Sequence, residues 1–390
     1  MASSSSSGAS RGAVPRLSIA PMLDWTDRHY RFLMRLITKR TLLYTEMLVD
    51  QTLVHQQHNL PYFLGHSAAE APLAIQLGGN SIEDLGLAAS ICTEYGGFAE
   101  INLNTGCPSS LVSSRCFGAR LMLDPDRVRD ICRSMVRRIA DHQASNDGRP
   151  VPVVTVKCRI GVDDHDSYEE LHHFISVVAD AGVSHFIIHA RKCLLNGLST
   201  HENRTIPPLK YDWVYRLKDE FPQLDFTLNG GVQSIQHAQE LLTTTNVDGV
   251  MIGRVAYNNP WNFRDADRLI FGEETNPNLS RREIVAQYLD YAEDMQQTWG
   301  HAEPKLPHPY IMPTSLLMKP LLGLFTGEYG GKAFKRRIAD RFNRKDLPKP
   351  LIRELIEHAL TAIPDHVLDA RVEDELTNLQ DDEQQSVPIE

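Results

Sequence analysis

The residue in this chain most suggestive of chemistry is Cys107, within INLNTGCPSSLVSSRCFGARLM at 101–122. Ile101 and Leu103 alternate with Asn102 and Asn104 as in a strand, and Thr105-Gly106-Cys107-Pro108 then breaks the pattern, so the thiol is expected in a loop at a strand end. A free cysteine can equally be a buried, inert hydrophobe, and its surroundings must decide. Those surroundings are polar: Glu46, Gln76, Asn102, Asn104, Lys157, Arg159, His189 and Arg191 all fall near the ends of apolar runs. Lys157 is costly to bury unless an anion faces it, either a ligand or a carboxylate such as Glu46. His189 reads as a ligand donor or as a satisfied core histidine. Asn229-Gly230-Gly231 and Gly253-Arg254 close two further runs, where glycine lets backbone N–H groups approach a phosphate and Arg254 adds a fork of charged donors.

The elements that must position these groups follow a strand–helix alternation. Apolar runs at 17–22, 41–47, 73–77, 98–103, 151–158, 185–189, 224–229 and 247–252 predict eight strands. Helical spacing is predicted over 26–37, 82–95, 125–139, 168–181, 211–218 and 235–242. Eight such units over about 235 residues fit an α/β TIM (β/α)8 barrel, with an open doubly wound sheet as the rival. In a barrel the polar residues above would converge at the C-terminal ends of the strands, and the two glycine pairs would end strands seven and eight, where phosphates are commonly held. Interior barrel positions are expected to be mostly Val, Ile and Leu, so this many polar groups point to a large polar ligand. Beyond Trp261 the strand signals stop, and helical spacing at 282–299, 332–342 and 350–362 predicts a smaller all-helical domain, with four prolines between 304 and 313. The expected organisation is a tail or short presequence at 1–16, the barrel at 17–270, the helical domain at 280–363 and a flexible acidic tail at 364–390.

Of the 390 residues, 42% are apolar and 23% charged, ordinary for a globular protein, and no apolar run is long enough to span a bilayer. The six cysteines form no CxxC pair, which argues against a zinc site or disulfide framework and for an intracellular protein. The cytoplasm is the expected compartment, with organellar import the alternative. Net charge is −10, but 365–390 alone carries −8, whereas nine bases against two acids give 332–353 a charge of +7. That cluster is either a solvated helix face or a surface for a polyanion.

Taken in order, SIAPMLDWTDRHYR at 18–31, LLYTEM at 42–47, QLGG at 76–79, EINLNTGCPS at 100–109, FGARLM at 117–122, VTVKCRIGVDDHDSY at 154–168, FIIHARK at 186–192, ENRTIPPL at 202–209, NGG at 229–231 and DGVMIGR at 248–254 resemble the flavin-dependent tRNA-dihydrouridine synthases, and specifically their A subfamily. The resemblance runs from about residue 17 to about 362. It implies FMN against Pro21, Met22, Leu23, Gln76, Lys157 and His189, with its phosphate at Asn229, Gly230, Gly231, Gly253 and Arg254, and no metal. It implies that NADPH reduces FMN, that the flavin passes hydride to C6 of a flipped-out uracil, and that Cys107 donates a proton to C5. Lys157 would stabilise the reduced ring. Asn104, His201, Arg204, Lys332 and Lys335 match tRNA-contacting positions. The family has Lys at the second and Arg at the last two, and Lys cannot reproduce a bidentate Arg–phosphate contact. Uridines 20 and 20a of the D-loop are the implied targets and a monomer the expected state. No His, Lys or Arg lies between 101 and Arg115, which suits an acid that must keep its proton; Cys116 is expected to be structural. The rival readings are an FMN-dependent oxidoreductase of a free pyrimidine and a non-catalytic tRNA-binding protein.

Overall fold

The computed structural model describes residues 14–145, 151–298 and 312–372. Its apolar runs become eight strands: β1 Leu17–Ile19, β2 Leu43–Val49, β3 Leu73–Gly78, β4 Glu100–Thr105, β5 Val153–Arg159, β6 His185–His189, β7 Asp225–Asn229 and β8 Gly249–Ile252. From β2 to β8 each strand pairs in parallel with its sequence neighbour, and β8 returns to pair with β1. A single Ser18–Leu42 bridge joins β1 to the start of β2 and closes the circle. The fold is the expected TIM barrel.

Helices cover the outside and begin where side chains cap them. Asp27 accepts from the Tyr30 N–H at the start of Arg28–Ile37, Ser81 caps Ile82–Tyr95, and Ser167 with Glu170 forms a capping box before Tyr168–Ala179. The segment after β2, where no helix was expected, holds Asp50–His55 and Leu60–Leu64, each too short to show a helical period.

Three apolar clusters result among the described residues. The largest lies between strands and helices, a small one inside the barrel consists of Ala20, Leu42, Tyr44, Ala74, Ile187 and Met251, and a third joins Ala119, Val162 and Cys193. The interior therefore departs from the expected Val/Ile/Leu filling. Strand alternation turns Ile101 and Leu103 outward into the large core and Glu100, Asn102 and Asn104 inward, where they meet Gln76 and Thr155. Part of the polar character read as ligand-seeking is thus satisfied within the protein: Asn102 is fully buried and bonded at both ends of its amide.

Beyond the barrel come the helices Arg281–Thr298, Thr314–Met318, Gly331–Phe342 and Ile352–Leu360, packed around Tyr288, Phe325, Phe334 and Leu355. They meet the barrel where Phe32 stacks on Tyr291 at 4.0 Å and the same phenol lies 2.9 Å from His29 Nδ1. The first residues past Pro364, within the stretch expected to be a flexible tail, are helical. Asp365–Asp369 is a helix whose Val367 and Leu368 are buried, and Arg282 pairs with Asp365 at 2.6 Å and Asp369 at 2.5 Å. The high average acidity of 364–390 hid this apolar pair and its basic partner. Residues 1–13, 304–311 and 373–390, on which other sequence expectations fall, lie outside the described residues.

Candidate active site

A cavity of about 710 Å³ opens at the C-terminal ends of the strands, a size suited to a large organic ligand. Pro21, Met22, Leu23, Gln76, Lys157 and His189 line it, as do Asn229, Gly230, Gly231, Gly253 and Arg254. Asn104, Cys107 and Arg204 share the same wall. His201 is exposed and not part of this lining, although the adjacent Thr200 is. Lys332 and Lys335 lie on the exposed side of Gly331–Phe342, outside the cavity.

Cys107 is half-buried, in a loop held from three directions. Its N–H donates to Asn104 Oδ1 at 2.9 Å, beside the Gly106 N–H at 3.1 Å, and its carbonyl accepts from the Ala119 N–H at 2.9 Å. From below, Arg159 donates to the Gly106 carbonyl at 3.1 Å and to the Asn203 carbonyl at 2.7 Å. Arg159 is thereby spent on fixing two loops. The sequence around Cys107 has no nearby base, yet β5 brings Lys157 and Arg159 into electrostatic range of the thiol. Cys116, expected to be structural, is exposed and sits at φ 57°.

Lys157 donates to Asn229 Oδ1 at 3.1 Å and has no carboxylate partner among the described residues, while Glu46 accepts from the Asp24 N–H instead. Burial, reinforced by the charge of Arg159, pushes the Lys157 ammonium down to about 8. Burial and the neighbouring Arg159 and Lys157 likewise push the His189 imidazole well below its ordinary value, so the ring is neutral. With Arg204 and Arg254 on the same wall, the cavity is an electropositive site in a protein of net charge −10.

The glycine loops fit a phosphate. Gly230 and Gly231 have φ of 111° and 75°, and a Cβ on Gly230 would come 2.6 Å from His189 Cδ2. A Cβ on Gly253 would meet only Ala20 Cβ, at 3.9 Å, so its missing side chain faces the cavity. The amides of Gly230, Gly231, Gly253 and Arg254 donate to no protein acceptor among the described residues. The buried Arg191 Nε also lacks an acceptor among the described residues. Free amides, a guanidinium and a cavity of this size suit a phosphorylated aromatic cofactor such as FMN.

Sequence reasoning missed the rim. Trp25 stacks on Tyr257 at 4.0 Å, with Lys319 of the helical region 4.4 Å above Trp25 and bonded to the Asp24 carbonyl. The strand-end rule that singled out Arg254 would have reached Tyr257 three residues further on, and the same rule applied after the apolar run at 17–22 would have reached Trp25. The basic cluster is also smaller than its sequence charge, because acids outside it pair with its bases: Arg341 with Glu354, and Arg353 with Asp290 and Glu293. Lys332, Lys335 and Arg336 remain exposed without an ion pair among the described residues, next to Tyr329, which is 80% exposed.

Comparison with known proteins gives a consistent result. Residues 18–346 match the family described as "Dihydrouridine synthase (Dus)". The chain is 41% identical over 350 residues to the tRNA-dihydrouridine(20/20a) synthase of Vibrio vulnificus, covering 90% of this chain and 97% of that protein. It is 43% identical over 324 residues to the protein of that name from Synechocystis, covering 83% and 88%. The Salmonella typhi protein of that name is 40% identical over 345 residues, covering 88% and 94%.

Proposed function

The chain belongs to the dihydrouridine synthase family, and on that premise we propose that it is a tRNA-dihydrouridine synthase, reducing the C5–C6 double bond of D-loop uridines 20 and 20a with NADPH and FMN. The observation that carries this reading is the meeting of Cys107 with the electropositive, glycine-lined cavity. Pro21, Met22, Leu23, Gln76, Lys157 and His189 would hold the FMN ring, and Asn229, Gly230, Gly231, Gly253 and Arg254 its phosphate. When bound, FMN reduced by NADPH supplies the hydride that enters at uracil C6. Cys107 holds the proton destined for C5 and delivers it as a general acid. Lys157 offers positive charge to an anionic ring, and neutral His189 offers hydrogen bonds without competing for that role. The base must leave the folded elbow of tRNA to reach the thiol. Asn104 has its oxygen taken by two amides and one N–H by Gln76, which leaves a single N–H for the substrate.

Arg204 and His201 would guide the RNA at the mouth, while Lys332 and Lys335 hold its backbone and Tyr329 offers a stacking face. A tRNA substrate places the protein where tRNA matures, in the cytoplasm or in an organelle with its own tRNAs. Among the described residues no helix is long and apolar enough to cross a membrane. The deciding experiment incubates the purified flavoprotein and NADPH with an unmodified tRNA transcript or with free uracil. Dihydrouridine at 20 and 20a supports the reading, and reduction of the free base alone sinks it. Binding should also be salt-dependent: replacing Lys332 and Lys335 together by Met reduces the slope of log affinity against log salt by about 2. A slope unchanged in the double variant would remove these two side chains from the RNA interface.

The lowered Lys157 value predicts a pH profile. Below about 8 the ammonium is already charged, whereas above it an anionic ligand must draw in a proton as it binds. FMN affinity of the apoprotein therefore falls by up to about tenfold per unit above that pH. In Lys157→Met, flavin-fluorescence titrations should show weaker binding and a flat profile. An unchanged slope in that variant would assign the titration to another group.

A further inference from the structure

Below the cavity, the barrel interior holds a carboxylate with no part in the chemistry above. Glu100, the first residue of β4, is buried. Its Oε2 accepts from Tyr44 OH at 2.7 Å and Thr155 Oγ1 at 3.1 Å, and its Oε1 lies 3.7 Å from His185 Nδ1. Burial alone would raise this carboxyl, but His185 and the bonds from Tyr44 and Thr155 outweigh it and hold the group below its ordinary range, as a carboxylate.

Between Cys107 and Glu100 every hydrogen bond runs the same way. The Cys107 N–H donates to Asn104 Oδ1 at 2.9 Å, and Asn104 Nδ2 to Gln76 Oε1 at 2.8 Å. Gln76 Nε2 donates to Asn102 Oδ1 at 2.8 Å, and Asn102 Nδ2 to Thr155 Oγ1 at 2.9 Å. Thr155 then donates to Glu100. A side-chain amide can face either way, so the ends of the chain decide. One end is a backbone N–H, which only donates, and the other a carboxylate, which only accepts. Reversing any amide between them would set donor against donor or acceptor against acceptor in a buried interior.

We propose that Glu100 is a positioning residue for Cys107: through Thr155, Asn102, Gln76 and Asn104 it fixes the direction of a hydrogen-bond chain that ends on the Cys107 backbone. The thiol's loop and the Gln76 amide at the cavity wall are thereby held in a single arrangement. The consequence for catalysis rests on the reading of Cys107 as proton donor, whereas the chain itself can be tested without tRNA.

Thr155→Val removes the linking hydroxyl while keeping the side-chain shape, and Thr155→Ser keeps the hydroxyl. Hydrogen exchange at the Cys107 amide should quicken about tenfold in the Val variant and stay near wild type in the Ser variant. In single-turnover reduction of tRNA, normalised to bound flavin, the Val variant should lose about 100-fold in rate with little change in KM for tRNA. The Ser variant should recover most of that rate. Glu100→Leu should match Thr155→Val, and if it does not fold, the Thr155 pair decides. Unchanged exchange at Cys107 in Thr155→Val, or equal losses in the Val and Ser variants, would overturn the proposal. Altered exchange in a protein that forms no dihydrouridine would uphold the chain and count against the functional reading instead.

Discussion

Cys107→Ala protein should purify yellow, oxidise NADPH as wild type does, and form dihydrouridine in tRNA about 10²- to 10⁴-fold more slowly, the range for loss of a positioned general acid. The geometry explains why the loss should be confined to proton delivery. Both hydrogen bonds that hold the residue, to Asn104 Oδ1 and from the Ala119 N–H, use its backbone, so alanine keeps them. The side chain removed is half-buried and lines the cavity, whereas Lys157 belongs to β5 and the glycine loops follow β7 and β8. Mass spectrometry of the tRNA, with NADPH consumption followed in parallel, separates the two half-reactions. Wild-type dihydrouridine formation by Cys107→Ala would take the proton from some other group and remove the central assignment.

The second large effect is expected at Gly230. Alanine there must adopt a φ of 111° and place its Cβ 2.6 Å from His189 Cδ2 and 3.0 Å from His189 Nε2. A left-handed conformation costs a residue with a Cβ about 1–3 kcal/mol, and the imidazole must also move away from the position it holds on the cavity wall. Gly230→Ala should therefore emerge colourless, with FMN affinity reduced by about 100-fold or more, since each 1.4 kcal/mol is tenfold. The loop lies at the end of β7 rather than inside it, so far-UV circular dichroism should still report a folded barrel. A yellow Gly230→Ala protein with wild-type flavin affinity would show that neither the close approach to His189 nor the glycine backbone serves the cofactor.

What the sequence made legible and what it did not divide along a physical line. Strands rich in Val, Ile and Leu, punctuated by Gly and Pro, announce a buried parallel sheet, and polar residues at their ends announce a site; both are local signals. Interactions that close over long separations left no local trace. Glu100 meets Thr155 across 55 residues and Tyr44 across 56, and nothing in EINLNTG distinguishes a satisfied Asn102 from a ligand-facing Asn104. Arg159 seemed one more ligand donor until the fold spent it on the Gly106 and Asn203 carbonyls. The basic run after Gly331 lost part of its charge to Glu354, Asp290 and Glu293, acids that belong to other helices. The segment after Pro364 read as a flexible acidic tail because composition averages over a window, whereas Val367 and Leu368 needed only one apolar surface to settle on.

The one-way run of hydrogen bonds in the barrel also bears on how this site can change over evolutionary time. An apolar core tolerates substitution piecemeal, because a lost methyl group at one position can be compensated by a gain at another. A chain in which each member is both donor to the next and acceptor from the last has no such slack, since any altered member leaves two neighbours unsatisfied. Gln76, Asn102, Asn104 and Thr155 thus form a single heritable unit. Variants selected for new substrates should accumulate at exposed positions such as Tyr329, where a side chain can be exchanged by itself, rather than in this chain or in the Trp25–Tyr257 stack.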